Sequence, residues 1–318
     1  MTIQDRKIHI GIDVSKALLD VFNGDTASHH QFDNSTQGIK KLMSWVKKYK
    51  KDQILFTLEA TGGYEKLTAK MLAEKGFPVA VINPRIIRDF ARASGKLAKT
   101  DKIDAKVIAA YAETMKPDTR FVFNENQAEI HELSTRRAQL VAMIVAEKNR
   151  LDKVTGKIKK SILRTIKYLE KELAEIDEQL KASVRADETF AQKQALLMSV
   201  KGIGEKTATA LIAYLPELGS LEERQITALA GLAPFNCDSG KMRGRRMIWG
   251  GRSMVRAALY MATMAATRSN KIIKTFYHRL LNAGKPKMIA LTACMRKLII
   301  ITNAMVRNNQ TWQENYAR

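Results

Sequence analysis

Five short apolar runs fall within the first 82 residues, and their order among amphipathic segments leaves few ways to fold. Ile8–Val14, Leu18–Phe22 and the His30–Phe32 region read as strands joined by short polar turns. Ser35 or Thr36 then caps a helix through Tyr49, with Ile39, Leu42, Met43 and Val46 on one face. A strand at Ile54–Leu58, a helix at Tyr64–Lys75 and a strand at Pro78–Ile82 follow, before helices at Pro84–Ala93 and Asp101–Met115. The order βββ-α-β-α-β-α calls for an α/β unit of sheet and covering helices.

Past Gln127 the texture changes. Ile162, Ile166, Leu169, Leu173, Ile176 and Leu180 step by four and three, the spacing of a coiled-coil seam. An earlier block, Leu140, Ile144, Leu151, Val154 and Ile158, is out of phase with it near Gly156, so either one long helix with a stutter or a helical hairpin is expected. The seam suits a dimer contact or an intramolecular spacer. From Gln192 onward the chain reads as helices broken at Lys201–Gly204, Gly231–Pro234, Gly250–Gly251 and Gly284–Pro286. The expected organisation is therefore an α/β domain over 1–125, a coiled-coil segment over 126–190 and a mainly α-helical domain over 191–318.

The net charge is +22, and it is unevenly placed. Residues 1–125 carry 21 basic and 15 acidic side chains, residues 126–190 carry 13 and 11, and residues 191–318 carry 20 and 6. No acidic residue occurs between Ser239 and Gln313. A merely solvated surface mixes both signs, so this imbalance points to a polyanion, nucleic acid before membrane. Met1–Lys7 lacks the apolar core of a signal peptide, and no uninterrupted apolar run reaches membrane-spanning length. Cys237 and Cys294 form no metal or disulfide pattern, which fits a reducing cytoplasm.

The element order of the first domain is that of the ribonuclease-H fold, though other α/β layers share it. In such a sheet the first strand and the adjacent central strand end side by side. Asp13 follows the apolar run Ile8–Ile12, Glu59 closes Ile54–Leu58, and Asp101 and Asp104 stand three apart at a helix start, on one side of it. Four hard oxygen donors at converging positions suit Mg²⁺ in a two-metal site acting on phosphodiesters. Taken singly, Asp101 and Asp104 also suit a helix dipole after a Thr100 cap, and Glu59 also suits a turn.

Leu196–Leu215, LLMSVKGIGEKTATALIAYL, is a helix end, a Gly-x-Gly turn and a second helix, resembling a helix-hairpin-helix. In that arrangement Lys201 and the backbone at Gly202 and Gly204 approach a phosphate; an ordinary αα turn is the alternative. Further on, Ser239 lies in good turn chemistry, Asp238-Ser239-Gly240, and is followed by Lys241, Arg243, Arg245, Arg246 and Arg252. Guanidinium forks bind phosphate oxygens bidentately and remain charged. Lys285, Lys287, Arg296 and Lys297 interleave with apolar helical positions, the pattern of a packed core with backbone-contacting bases at its surface.

GIDVSK at Gly11–Lys16, LEATGGYE at Leu58–Glu65 and INPRIIRDFARASGKLAKTDKIDAKVIAAYA at Ile82–Ala112 resemble the DEDD transposase family of the insertion-sequence one-ten elements, which includes the pilin-gene invertase. The likeness continues through Ala233–Ala262 and His278–Arg307. It implies a RuvC-like domain whose metal-binding acids are Asp13, Glu59, Asp101 and Asp104, and a transposase domain whose signature serine is Ser239. It further implies element and target double-stranded DNA as substrates and a serine–DNA intermediate. In the best understood subgroup it also implies a noncoding bridge RNA as guide, and for the family a dimer assembling to a tetrameric synapse, acting in the cytoplasm at the bacterial nucleoid with no membrane partner. A junction nuclease using only the acids and water, or a non-catalytic nucleic-acid-binding protein, are the alternative readings.

Overall fold

Strand formation in the N-terminal unit follows the alternation of its side chains. The computed structural model describes residues 7–95, 101–117, 119, 124–236, 239, 244 and 246–313, with the side chains of Asp101 and Lys102 excepted. Strands β1 (Ile8–Val14), β2 (Leu18–Asn23) and β3 (Ser28–Asp33) form an antiparallel meander. Helix α1 (Thr36–Trp45) leads through a short 3-10 turn to β4 (Ile54–Glu59), which pairs parallel with β1. Helix α2 (Glu65–Glu74) leads to β5 (Val79–Ile82), parallel to β4. The sheet order is β3-β2-β1-β4-β5. Helices α3 (Pro84–Ala93) and α4 (Asp101–Met115) complete the unit.

Each strand sends alternate residues to opposite faces. Ile8, Ile10, Ile12 and Val14 join Leu19, Val21, Phe56 and Leu58 in one core, closed by Ile39 and Leu42 of α1 and Leu72 of α2. The other face carries His9, Gly11 and Asp13 and is covered by α4. Helix α1 stops at Trp45 rather than Tyr49: the chain there tightens, with the Lys47 and Tyr49 amides donating to the Ser44 and Val46 carbonyls three residues back. Its start agrees with the sequence, since the Ser35 side chain accepts from the Gly38 amide at 3.1 Å.

The second unit begins at Asn124. Helices α5 (Glu125–Leu151) and α6 (Gly156–Ala186) form an antiparallel hairpin, so the phase slip near Gly156 marks a turn and not a stutter. Leu140 and Ile144 of α5 bury against Leu169, with Leu173 and Ile176 alongside, and Arg137 pairs with Asp177 at 2.6 Å. Five of the six seam residues, Ile166, Leu169, Leu173, Ile176 and Leu180, are therefore buried or packed within the chain.

Helices α7 (Glu188–Met198), α8 (Glu205–Tyr214), α9 (Glu223–Leu229), α10 (Ser253–Ser269), α11 (Lys271–Asn282) and α12 (Lys287–Asn308) pack on the foot of that hairpin, with a two-strand ladder of β6 (Pro234–Phe235) and β7 (Met247–Ile248) between α9 and α10. Ile130, Leu180 and Val184 of the hairpin share one core with Leu197, Leu211, Ile226, Leu259 and Leu298. The 126–190 and 191–318 segments, separate by composition, thus belong to one compact unit. Helix α12 is long and apolar enough to cross a membrane, with a mean hydropathy of 1.6 over its best window, but 56% of that window is buried in the core.

Candidate functional site

The acids are positioned by strand register. Ile12 of β1 lies opposite Leu58 of β4 in a parallel pairing. The next residue of each strand is an acid, Asp13 and Glu59, level with one another on the face that α4 covers. Helix α4 runs antiparallel to β1. Gly11 abuts Ala105 and Ala109, while His9, nearer the start of the strand, feels Glu113 and Lys116 further along the helix. The first turn of α4, with Asp101 and Asp104, consequently sits at the Asp13 end of the sheet. Asp13, Glu59 and Asp104 are all half-buried. The Asp101 side chain lies outside the described residues.

Three backbone elements thus deliver carboxylates to one end of one sheet face, and hard oxygen donors from separate elements are what a divalent magnesium site requires. Among the described residues, no group of three or more His, Cys, Asp or Glu side chains is gathered closely enough to hold a metal ion. The backbone brings Asp13, Glu59 and the first turn of α4 to one end of the sheet, without gathering their side chains into a metal-holding group among the described residues.

A further acid escaped sequence reasoning. Asp20 is the antiparallel register partner of Asp13, is 6% exposed, and accepts hydrogen bonds from His29 Nε2 at 3.1 Å and Gln31 Nε2 at 3.2 Å. Its signal was a carboxylate at the centre of Leu18–Phe22, where alternation faces it toward the same side as Asp13. At the far end of that face burial lowers the His9 pKa, against a raising influence from Glu113.

In the second unit Ser239 is exposed, in the segment that joins β6 to β7. Lys241, Arg243 and Arg245 lie outside the described residues. Arg246 is exposed. Arg252 is engaged internally: it grips the Glu217 carboxylate with two bonds of 2.6 Å and donates to the Tyr214 carbonyl at 3.0 Å, stapling the start of α10. Lys285 and Lys287 are exposed at the α11–α12 turn, and Arg296 and Lys297 are half-buried on α12. Lys297 and Arg279 each lie over the Phe276 ring, at 4.9 and 5.0 Å from its centre. The Arg296 Nε is buried without a hydrogen-bond partner among the described residues.

The Gly-x-Gly turn joins α7 to α8 as an αα hairpin, and its two glycines differ. Gly202 has φ +111°, and a Cβ there would lie 2.7 Å from Ala266 of α10, so packing and conformation both demand glycine. Asn270 Nδ2 also donates to the Lys201 carbonyl at 3.4 Å, fixing the turn from the α10–α11 junction. Gly204, at the start of α8, has nothing near it, and Lys201 is exposed. Only the outer side of the turn is open to a ligand.

Two family models place this chain, with its acid-bearing sheet and strongly basic helical unit, in the class of DNA-processing transposases. A DEDD transposase model matches residues 10–158, and a model described as the transposase IS116/IS110/IS902 family matches residues 194–278. Between them they cover most of the chain, which belongs to the IS110 family of transposases. It is 26% identical over 316 residues to the pilin gene-inverting proteins of Moraxella lacunata and Moraxella bovis, covering 97% of this chain and 98% of each relative.

Proposed function

We propose that this transposase is an Mg²⁺-dependent DNA recombinase that exchanges strands through a covalent bond between DNA and Ser239. The observation that carries the reading is the shared sheet edge of Asp13, Glu59 and the first turn of α4, which with Asp101 and Asp104 would hold the metal. The sheet order β3-β2-β1-β4-β5, antiparallel then parallel, supports a ribonuclease-H-type, RuvC-like domain. Magnesium, when bound, polarises the phosphodiester and stabilises the oxygen that leaves.

At the serine, the Oγ–phosphorus bond forms as a deoxyribose oxygen–phosphorus bond breaks, the hydroxyl proton passes to solvent or a base, and the leaving oxygen takes up a proton. The phosphodiester energy is conserved in the protein–DNA bond, so rejoining needs no external source. The exposure of Ser239 and the guanidinium-rich sequence around it, Arg243, Arg245 and Arg246, support this role. Lys201, Gly204, Lys285, Lys287, Arg296 and Lys297 supply phosphate contacts in the basic unit, with element and target DNA as substrates and a noncoding bridge RNA as guide. Gly202 and Arg252 shape the surfaces that make such contacts. Protomers assemble as dimers and then tetramers.

Incubating the protein with element-end DNA, Mg²⁺ and a denaturing quench tests the chemistry. The expected result is a protein–DNA adduct that maps to Ser239, disappears on chelation and is absent in Ser239→Ala, which still binds DNA. Cleavage without any adduct would make the protein a hydrolytic nuclease instead. RNA that co-purifies and maps beside the gene would identify the guide, and random RNA fragments alone would count against one.

A further inference from the structure

The β6–β7 ladder and the residue just past it carry large apolar side chains at the surface. Phe235 is 49% exposed, Met247 63%, and Trp249, just past the ladder, 62%. Phe235 and Met247 are cross-strand partners and therefore share a face. Trp249 stands two residues beyond Met247, just past the ladder, and is as exposed as Met247. The three make an aromatic–methionine–aromatic row.

The row sits on a fixed base. A Cβ on Gly251 would lie 2.2 Å from the Gly231 amide nitrogen, so the two ends of the ladder segment cross at backbone contact. The Arg252 amide donates to the Leu229 carbonyl at 2.9 Å, and the Arg256 guanidinium donates to the Gly250 carbonyl. Arg252 itself is locked on Glu217. Aromatic side chains held on so short and crossed a base lose little freedom on binding.

The surrounding charge identifies the occupant. Arg246 is exposed beside Met247, and the sequence from Ser239 to Gln313 contains no acid. An apolar protein surface would not offset that charge. A nucleobase offers a flat π face for an aromatic ring and brings a phosphate for the neighbouring guanidinium. In a duplex those π faces are covered by adjacent bases, so only an unpaired or extruded nucleotide can use the row.

We propose that Phe235 and Trp249 form a stacking platform for unpaired DNA bases at the base of the segment that carries Ser239, the residue read above as joining to DNA. The proposal rests on the nucleic-acid reading above and adds the strand state that is recognised.

The chain has three tryptophans, so Trp45→Phe with Trp312→Phe leaves Trp249 as the reporter in the full-length protein. Titration with a thymidine oligonucleotide should quench its emission strongly. An abasic oligomer of equal length and charge should bind with little quenching, and a blunt duplex should quench weakly. An RNA oligonucleotide that quenches where its DNA counterpart does not overturns the assignment to DNA. In the otherwise native chain, Trp249→Ala should weaken single-strand binding by about five-fold or more while leaving duplex affinity nearly unchanged, with recovery in Trp249→Tyr. That second measurement, read from a labelled oligonucleotide, decides the matter if the double variant does not fold. Equal quenching by the abasic oligomer, or binding without quenching, overturns the platform and leaves the recombinase standing. A blue shift on raising protein concentration, with no response to oligonucleotide, means that a second copy covers the row and also overturns it. Failure to bind any nucleic acid removes both.

Discussion

Gly11 and Ala105 make the contact that sets helix α4 on the sheet: a Cβ on Gly11 would lie 2.2 Å from the Ala105 carbonyl oxygen and 2.4 Å from the Ala109 amide nitrogen. Backbone meets backbone there, and no side chain can yield. The height and tilt of α4, and with them the position of Asp104 relative to Asp13, depend on that missing methyl group. Gly11→Ala should lower stability by about 1–3 kcal/mol or more, since the helix must lift from the strand. It should also reduce DNA cleavage beyond what the unfolded fraction explains. A variant with unchanged urea midpoint and full cleavage would contradict the packing account.

Asp13→Asn keeps the size of the side chain and removes its charge. DNA cleavage in Mg²⁺ should be abolished while the far-ultraviolet circular dichroism stays native. Metal-free stability should hold or rise, because Asp13 faces Asp20 across the β1–β2 pair and has Glu59 at its level on β4. Full recombination by Asp13→Asn would exclude it from the metal site.

The coiled-coil seam behaves differently from an exposed dimer contact. Leu169 is buried against Leu140 and Ile144 in its own chain. Leu169→Ala should therefore cost about 2–5 kcal/mol in a denaturant melt, whatever the protein concentration. Self-association through this segment has to use what the hairpin leaves outside, such as Ile158 and Tyr168, 62% and 61% exposed. Tyr168→Glu should lower the mass seen by light scattering without altering stability. An unchanged mass would move the interface elsewhere.

Asp187 links α6 to α7. Its Oδ1 accepts from the Thr189 and Phe190 amides at 2.9 and 3.3 Å, and Asn126 donates to Oδ2 at 3.3 Å. Desolvation works to raise its pKa, yet these hydrogen bonds outweigh it and hold the carboxyl below its ordinary value of 3.8. A group depressed in the folded state stabilises above its unfolded pKa and loses that contribution as pH falls through the folded value. Asp187→Ala should cost about 0.5–2 kcal/mol at pH 7, and the difference from the native protein should shrink as pH is lowered below 3.8. A pH-independent difference would assign the loss to packing.

Binding should be governed by salt. With 20 basic and 6 acidic residues in 191–318, the logarithm of the affinity should fall linearly with the logarithm of salt concentration. Replacing both Lys285 and Lys287 by Gln should lower the slope by roughly 2 if each neutralises one phosphate of duplex DNA. An unchanged slope would remove them from the interface.

The order of elements along the chain and most helix starts are local properties, and they are readable from sequence alone. Apolar runs marked Ile8–Val14 and Ile54–Leu58, Pro84 opened α3 at its expected position, and the phase slip near Gly156 marked an interruption that only the fold showed to be a turn. The acids followed from the same locality, because a carboxylate that ends an apolar strand is visible as such. Charge was legible too, since it is a sum over residue types. Local patterns do not name the partner of a buried face or of a charge. Leu169 shows the spacing of an interface whether its partner is another protomer or Leu140. Arg252 reads as a phosphate ligand until the fold brings Glu217 to it, and Gly202 as a phosphate turn until α10 arrives at Ala266. Asp20 becomes relevant only once β2 folds back on β1. Each of these was decided by tertiary structure, because burial, pairing and close approach depend on residues distant in the chain, whereas periodicity and capping depend on neighbours a turn or less away.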